Sequence, residues 1–319
     1  MPIEYTPNTD DKYPYPRVFC DGTITDGHGN QMKTGVITNS NTKGEVDVKY
    51  LEEIRNLKLS KNQVLLATYP RSGTTCSQFF ISAMLNDFKD AEMISNLEQN
   101  GQIFKFSPFI EATNEKFGSS CSLKYCQEKL SRDENFVIKC HYPRWLNIKD
   151  LKSCKTLICV RNPADQMLSW YRMMMNFPDD RFQDGNFKKM DIETFAKMTM
   201  EGHVAYGSWL SWHESWVEEA KNNPNCFVYF YEDICQYPRK VITDIAKFLE
   251  VELDESKVKT LIEILDYDKA MSRRKNGSEK RVPGGKKIGS ARQYLGEDLW
   301  ETLKKHASEI DPIFKVRFE

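Results

Sequence analysis

Long apolar runs are missing from this 319-residue chain. No stretch comes near the roughly 18 residues that a membrane-crossing helix needs. The apolar segments are strand-sized, as in Leu157-Ile158-Cys159-Val160. The opening residues, Met1-Pro2-Ile3-Glu4-Tyr5, have neither a basic n-region nor an apolar h-region, so no secretory leader is expected. Charge imbalance is missing as well: 45 Lys+Arg against 46 Asp+Glu leave a net charge of −1. No global field draws the protein to nucleic acid or to a membrane surface, so any anion site must be local. The nine cysteines include no CxxC pair. Cys121/Cys126 and Cys154/Cys159 are spaced CxxxxC, which does not suit a structural zinc site. Cys159, Cys226 and Cys235 sit in apolar segments and read as small buried hydrophobes. Reduced thiols, no metal and a cytoplasmic location are the expectations. The GxxxxGK[ST] signature is absent too, which weighs against an ATP- or GTP-hydrolysing P-loop enzyme.

What is present is globular. Hydrophobic residues make up 40% and charged residues 29%, enough apolar surface for a large core. Residues 1–45 are rich in turn formers and read as an irregular N-terminal arm, with a hairpin expected near Gly29. Residues 46–319 read as one α/β domain. Residues 48–59 carry apolar side chains at helical spacing. Residues 63–68 (QVLLAT) form a short continuous apolar run, as in a strand buried on both faces. A helical pattern follows from Ser77 to Phe88. The same order recurs: a strand at 136–138, a strand at 155–160 with a helix over 164–175, and a strand at 225–231 with a Glu232-Asp233 turn and a helix over 241–249. Four such units predict a central parallel sheet flanked by helices. The polar residues at the strand ends then line one edge, where open α/β sheets bind ligands.

The sharpest motif is Tyr69-Pro70-Arg71-Ser72-Gly73-Thr74-Thr75, between a strand and a helix. Gly73 lets the backbone turn and approach an anion closely. The following helix N-terminus offers free N–H groups and a favourable dipole. Ser72, Thr74 and Thr75 add hydroxyls, and Arg71 adds a permanent cation. An ordinary Ser/Thr-capped turn would account for SGTT alone. Strand before, Pro-Arg at the turn and helix after favour a phosphate-binding loop.

TYPRSGTT resembles the 5′-phosphosulfate loop of the cytosolic sulfotransferase family, usually written TYPKSGTTW. Four further segments resemble that family in the right order: Lys139-Cys140-His141-Tyr142-Pro143 (its KTHLP), the strand ending in Arg161-Asn162 with Ser169 eight residues later (its 3′-phosphate motif), Tyr206-Gly207-Ser208-Trp209, and Phe230-Tyr231-Glu232-Asp233. The resemblance implies a P-loop-like sulfotransferase fold and a PAPS-dependent enzyme. The donor would be 3′-phosphoadenosine 5′-phosphosulfate, the product adenosine 3′,5′-bisphosphate, and no metal is needed. The acceptor would be a hydroxyl on a small, hydrophobic molecule, with the protein a monomer or a homodimer.

The resemblance also assigns roles. Arg71 stands where the family has a lysine beside the bridging and 5′-phosphate oxygens. His141 is the general base, with an imidazole pKa near neutrality, and Lys139 lies over the transferring sulfuryl oxygens. Ser72, Gly73, Thr74, Thr75 and Cys76 cradle the nucleotide. Arg161 and Ser169 take the 3′-phosphate, and Tyr231 meets the adenine. The remaining histidines (28, 203, 213 and 306) read as packing or surface residues.

The pattern departs from the family in three places. The adenine-stacking Trp after GTT is Cys76 here. The second stacking aromatic aligns near Asp266-Tyr267-Asp268. The C-terminal RKG clamp has no clean copy, and the basic segment 273–292, with Lys286 and Lys287, is expected in its place. Phe109 and Met173 are expected in the acceptor pocket, beside His141. Alternatives left open are a nucleotide-binding relative with weak or lost turnover, and a dehydratase of the same fold that first sulfates its alcohol.

Overall fold

The computed structural model describes residues 3–7, 22–34, 48–86, 103–111, 122–175, 190–266 and 288–311. In chain order its elements are β1 (Ile3–Pro7), β2 (Gly22–Asp26), β3 (Gln31–Thr34), α1 (Val48–Arg55), β4 (Gln63–Thr68), α2 (Thr74–Leu85), a single helical turn α3 (Ile103–Phe106), α4 (Leu123–Ser131), β5 (Phe136–Cys140), β6 (Lys155–Val160), α5 (Pro163–Met175), α6 (Ile192–Glu201), α7 (Trp209–Asn222), β7 (Cys226–Phe230), α8 (Tyr231–Gln236), α9 (Pro238–Leu249), α10 (Glu255–Leu265), α11 (Arg292–Leu295) and α12 (Glu297–Ile310).

Strands β5, β4, β6 and β7 form one parallel sheet in that order. The pleat explains the continuous apolar runs. Side chains alternate faces along a strand. In β4, Val64 and Leu66 enter one core, with Phe80 and Ile81 of α2, Ile242 and Ile245 of α9 and Leu261 of α10. Leu65 and Ala67 enter the other, with Ile54 of α1, Trp170 of α5 and Trp212 and Trp216 of α7. Both faces are therefore dry, and every β4 residue is buried. This is a mixed α/β fold with helices on either side of a parallel sheet.

The chain leaves β4 toward β5 on one side, and β6 toward β7 on the other. The connections diverge between the C-terminal ends of β4 and β6. In open α/β sheets, ligands usually bind at the strand ends beside such a divergence. Residues 69–75 leave β4 there, and Arg161 follows β6.

Two local readings need correction. The described parts of residues 1–45 are strands, not an irregular arm: β1, β2 and β3 form an antiparallel sheet. The expected hairpin at Gly29 joins β2 to β3. There Asp26 Oδ1 accepts from the backbone N–H of His28 and Asn30 at 2.9 and 3.0 Å, and Gly29 takes φ +86°. Ile3, Ile24 and Met32 join the same core as Trp212. Each strand has only four or five residues, too few to show a period. The Glu232-Asp233 turn is instead part of α8, which starts directly at the end of β7.

Candidate active site

The loop after β4 is fixed through its carbonyls. Gln166 Nε2 donates to the Pro70 carbonyl at 2.5 Å, Arg161 Nη1 to the Arg71 carbonyl at 3.0 Å and Cys159 Sγ to the Ser72 carbonyl at 2.9 Å. In a planar trans peptide, the N–H of Gly73 points opposite to the Ser72 carbonyl. Arg71 sits at φ +71°, a strained region for a residue with a side chain, and Gly73 at φ +91°. Gly73 is required twice over. A Cβ there would also lie 2.6 Å from Tyr231 Cδ2. As the N-cap of α2, Gly73 makes no side-chain cap. The first N–H groups of that helix therefore keep their donors for something else. The buried Ser72 hydroxyl has no partner among the described residues.

Three residues far apart in sequence meet at this loop. Arg71 Nε donates to Ser169 Oγ at 3.1 Å. The Arg161 guanidinium lies 4.5 Å over the Tyr231 ring. It is 9% exposed, its Nε has no partner, and among the described residues it makes no ion pair. A guanidinium keeps its charge even when buried. A buried charge without a counterion is costly unless a ligand brings one. Glu232 lies close enough to interact with it electrostatically, and burial raises the pKa of that carboxyl while Arg161 lowers it. Cys76, Thr74 and Thr75 lie in the first turn of α2, Cys76 half-buried and Thr74 bonded through Oγ1 to Thr68 Oγ1 at 2.7 Å.

His141 follows β5 and its ring turns toward β4. Its Nδ1 lies 2.6 Å from the Thr68 carbonyl and 3.2 Å from the Thr68 hydroxyl. A carbonyl only accepts, so Nδ1 carries the proton and Nε2 keeps its lone pair. Burial drives the imidazole pKa well below its ordinary value, and the charge of Lys139 adds to this. That direction runs against the near-neutral pKa expected from the sequence and favours the uncharged imidazole. Its ring packs edge-on to Phe109 at 5.3 Å and to Tyr206 at 5.1 Å. Lys139 Nζ sits 3.8 Å over the face of that same Phe109. Phe109 gets there because residues 107–110 run beside β5, with Lys139 N–H donating to the Pro108 carbonyl at 2.9 Å.

The structure thus groups Arg71, Ser72, Gly73, Arg161, Ser169 and Tyr231, and it places Lys139, His141 and Phe109 together beside Thr68. Met173 is partly buried against the core. Lys286, Lys287, Arg274-Lys275-Asn276 and Tyr267 lie outside the described residues. Among the described residues no cluster of His, Cys, Asp or Glu is placed to hold a metal ion, and no helix is long and apolar enough to cross a membrane.

The family model for the sulfotransferase domain matches residues 61–309. The chain belongs to the sulfotransferase family. It is similar to Sulfotransferase 1E1 of Rattus norvegicus, 28% identical over 207 residues that cover 63% of this chain and 63% of the relative. It is also similar to Sulfotransferase 1E1 of Bos taurus, 29% identical over 223 residues, 67% of this chain and 68% of the relative. The chain thus spans 63% of the length of the rat protein. Retinol dehydratase, solved with androsterone and inactive cofactor PAP, shares the fold at TM-score 0.67, with 17% identity over 97% of this chain and 96% of that one. Mouse sulfotransferase SULT7A1, solved with PAP, does so at TM-score 0.65, with 17% identity over 92% and 98%.

Two features beside His141 are not among the expectations drawn from the sequence. Glu111 is a lone carboxylate in an apolar segment, and its Oε1 accepts from Cys140 Sγ and from the N–H groups of His141 and Tyr142 at 2.8, 2.6 and 2.8 Å. Trp212 and Trp216 on α7 donate to the His141 and Tyr142 carbonyls at 2.7 and 3.1 Å. The i, i+4 spacing of the two indoles was the available signal.

Proposed function

We propose that the protein transfers a sulfuryl group from 3′-phosphoadenosine 5′-phosphosulfate to a hydroxyl of a small, hydrophobic acceptor. One observation carries this reading. The buried Arg161 guanidinium, with an unpartnered Nε, lies beside the uncapped N-terminus of α2 and the orphaned Ser72 hydroxyl. That donor set fits an ester with phosphate at two ends, one on the loop and one on Arg161. The donor, when bound, supplies the activated sulfuryl group.

The protein's task is to align and to stabilise charge. Arg71 and the α2 N–H groups would hold the 5′-phosphate as negative charge builds there. Arg161 and Ser169 would take the 3′-phosphate, and Tyr231 the adenine. Lys139 would face the sulfuryl oxygens. His141, neutral and protonated at Nδ1, has Nε2 free to accept the acceptor's proton. Phe109 would give the acceptor an apolar wall, and by resemblance to the family Met173 would belong to the same pocket. A small-molecule partner and a cytoplasmic location belong to the same proposal.

A screen of phenols and alcohols with ³⁵S-labelled donor tests it. Labelled product from wild type, and at least about a hundredfold less from His141→Ala, is the expected result. Bound nucleotide with no labelled product from any acceptor would contradict it.

A further inference from the structure

His141 is fixed at its ring by Thr68, but its main chain is fixed by a buried carboxylate. Glu111 ends the segment that runs beside β5, and it is 1% exposed. Its Oε1 gathers three donors from consecutive residues, Cys140 Sγ and the N–H groups of His141 and Tyr142. Those N–H groups lie beyond the last residue of β5, where the sheet no longer supplies acceptors. The carbonyls of the same two residues are taken by Trp212 and Trp216. Both sides of the strand end are thus held, one by a charge and one by indoles.

Burying a carboxylate merely to close a strand is an expensive choice, since a neutral side chain would leave less to desolvate. A charged acceptor gives shorter and stronger bonds, and so a tighter aim. We propose that Glu111 is the positioning residue of His141: it sets the main chain so that Nδ1 meets the Thr68 carbonyl and Nε2 faces the acceptor. This rests on the reading of His141 as base.

Glu111 is faced by Lys139 and Cys140 of β5, by Tyr142 beyond it, by Tyr50 of α1 and by Tyr206 before α7. Burial outweighs the three hydrogen bonds and Lys139, and pushes its carboxyl up to about 7. Its ionised form, which binds the three donors best, therefore forms as pH rises through neutrality.

Glu111→Gln keeps the shape and removes the charge. Its kcat should fall about tenfold to a hundredfold, less than the roughly 10²–10⁴-fold that a whole catalytic proton transfer contributes, while the affinity for adenosine 3′,5′-bisphosphate stays within about twofold. Wild-type kcat should rise through a midpoint near pH 7, and the variant should lack that step. ¹⁵N-histidine spectra give a readout apart from activity, the His141 signals being identified by their loss in His141→Gln. Wild type should show the Nδ1-protonated form, and Glu111→Gln a mixture with the Nε2-protonated form. If the variant fails to fold, wild-type spectra from pH 6 to 8 carry the test. The His141 nitrogen shifts should step near pH 7 without the imidazole charging. Glu111→Gln with wild-type kcat, pH profile and His141 spectrum would overturn the inference, as would wild-type shifts flat across that range. Full turnover by His141→Ala would instead overturn the base assignment, while the spectra still report on Glu111.

Discussion

The Nδ1–H of His141 points at the carbonyl of Thr68, 2.6 Å away, and the Thr68 hydroxyl lies 2.7 Å from that of Thr74 in the first turn of α2. One residue at the end of β4 therefore links the imidazole to the loop and helix start at 69–75. His141→Ala should lower turnover by about 10²–10⁴-fold. Calorimetry should show adenosine 3′,5′-bisphosphate still binding within about threefold of wild type. A parallel loss of binding would make His141 a structural residue.

Arg161→Ala tests the 3′-phosphate assignment. Charge-assisted hydrogen bonds contribute about 1.5–3 kcal/mol, so adenosine 3′,5′-bisphosphate should bind roughly ten- to a hundredfold more weakly. Adenosine 5′-phosphate should lose much less. Equal losses for the two nucleotides would contradict the assignment.

Gly73→Ala combines a left-handed backbone, φ +91°, with a Cβ 2.6 Å from the Tyr231 ring. Either Tyr231 or the loop must move. Thermal unfolding should report a destabilisation of about 1–3 kcal/mol, with nucleotide affinity falling at least tenfold. A variant with wild-type stability and affinity would show that the loop tolerates the shift.

His213 gives a sign for acid stability. It is buried, stacked on Trp209 at 4.0 Å, and its Nδ1–H donates to the Trp209 carbonyl at 2.7 Å. Burial lowers its pKa from 6.5 to about 3. Between those values the unfolded chain binds the proton that the native state refuses, so stability falls as pH drops below 6.5. At pH 5.5, one unit below the ordinary value, this group alone costs about 1.4 kcal/mol. Glu111, raised from 4.5 to about 7, acts in the opposite sense. Its native state holds a proton that the unfolded chain has lost, so stability falls as pH rises from 4.5 toward 7. Denaturant midpoints at pH 5.5 and 7.5 should show His213→Gln losing part of the acid sensitivity, and Glu111→Gln losing part of the decline toward neutrality. Unchanged slopes in both would refute these assignments.

The sheet was legible because β4 is apolar at the consecutive positions 64–67, a pattern that a strand with two dry sides needs. The meeting of the loop with Arg161 was legible from the strand–loop–helix order. The direct bond from Arg71 to Ser169 was not, since it depends on Arg71 adopting φ +71°. The N-terminal sheet was hidden by strands too short to carry a period. Glu111 was hidden for another reason. A single carboxylate beside Ile110 gives no local sign that three donors from residues 140–142 will converge on it.

The most direct measurement is calorimetry of adenosine 3′,5′-bisphosphate on the wild-type protein and on Arg161→Ala, with adenosine 5′-phosphate in parallel. Saturable 1:1 binding by wild type, tighter for the bisphosphate and selectively weakened by the substitution, is the result expected. No binding of the bisphosphate, or binding indifferent to Arg161, would contradict the claim that this strand edge holds a doubly phosphorylated adenosine.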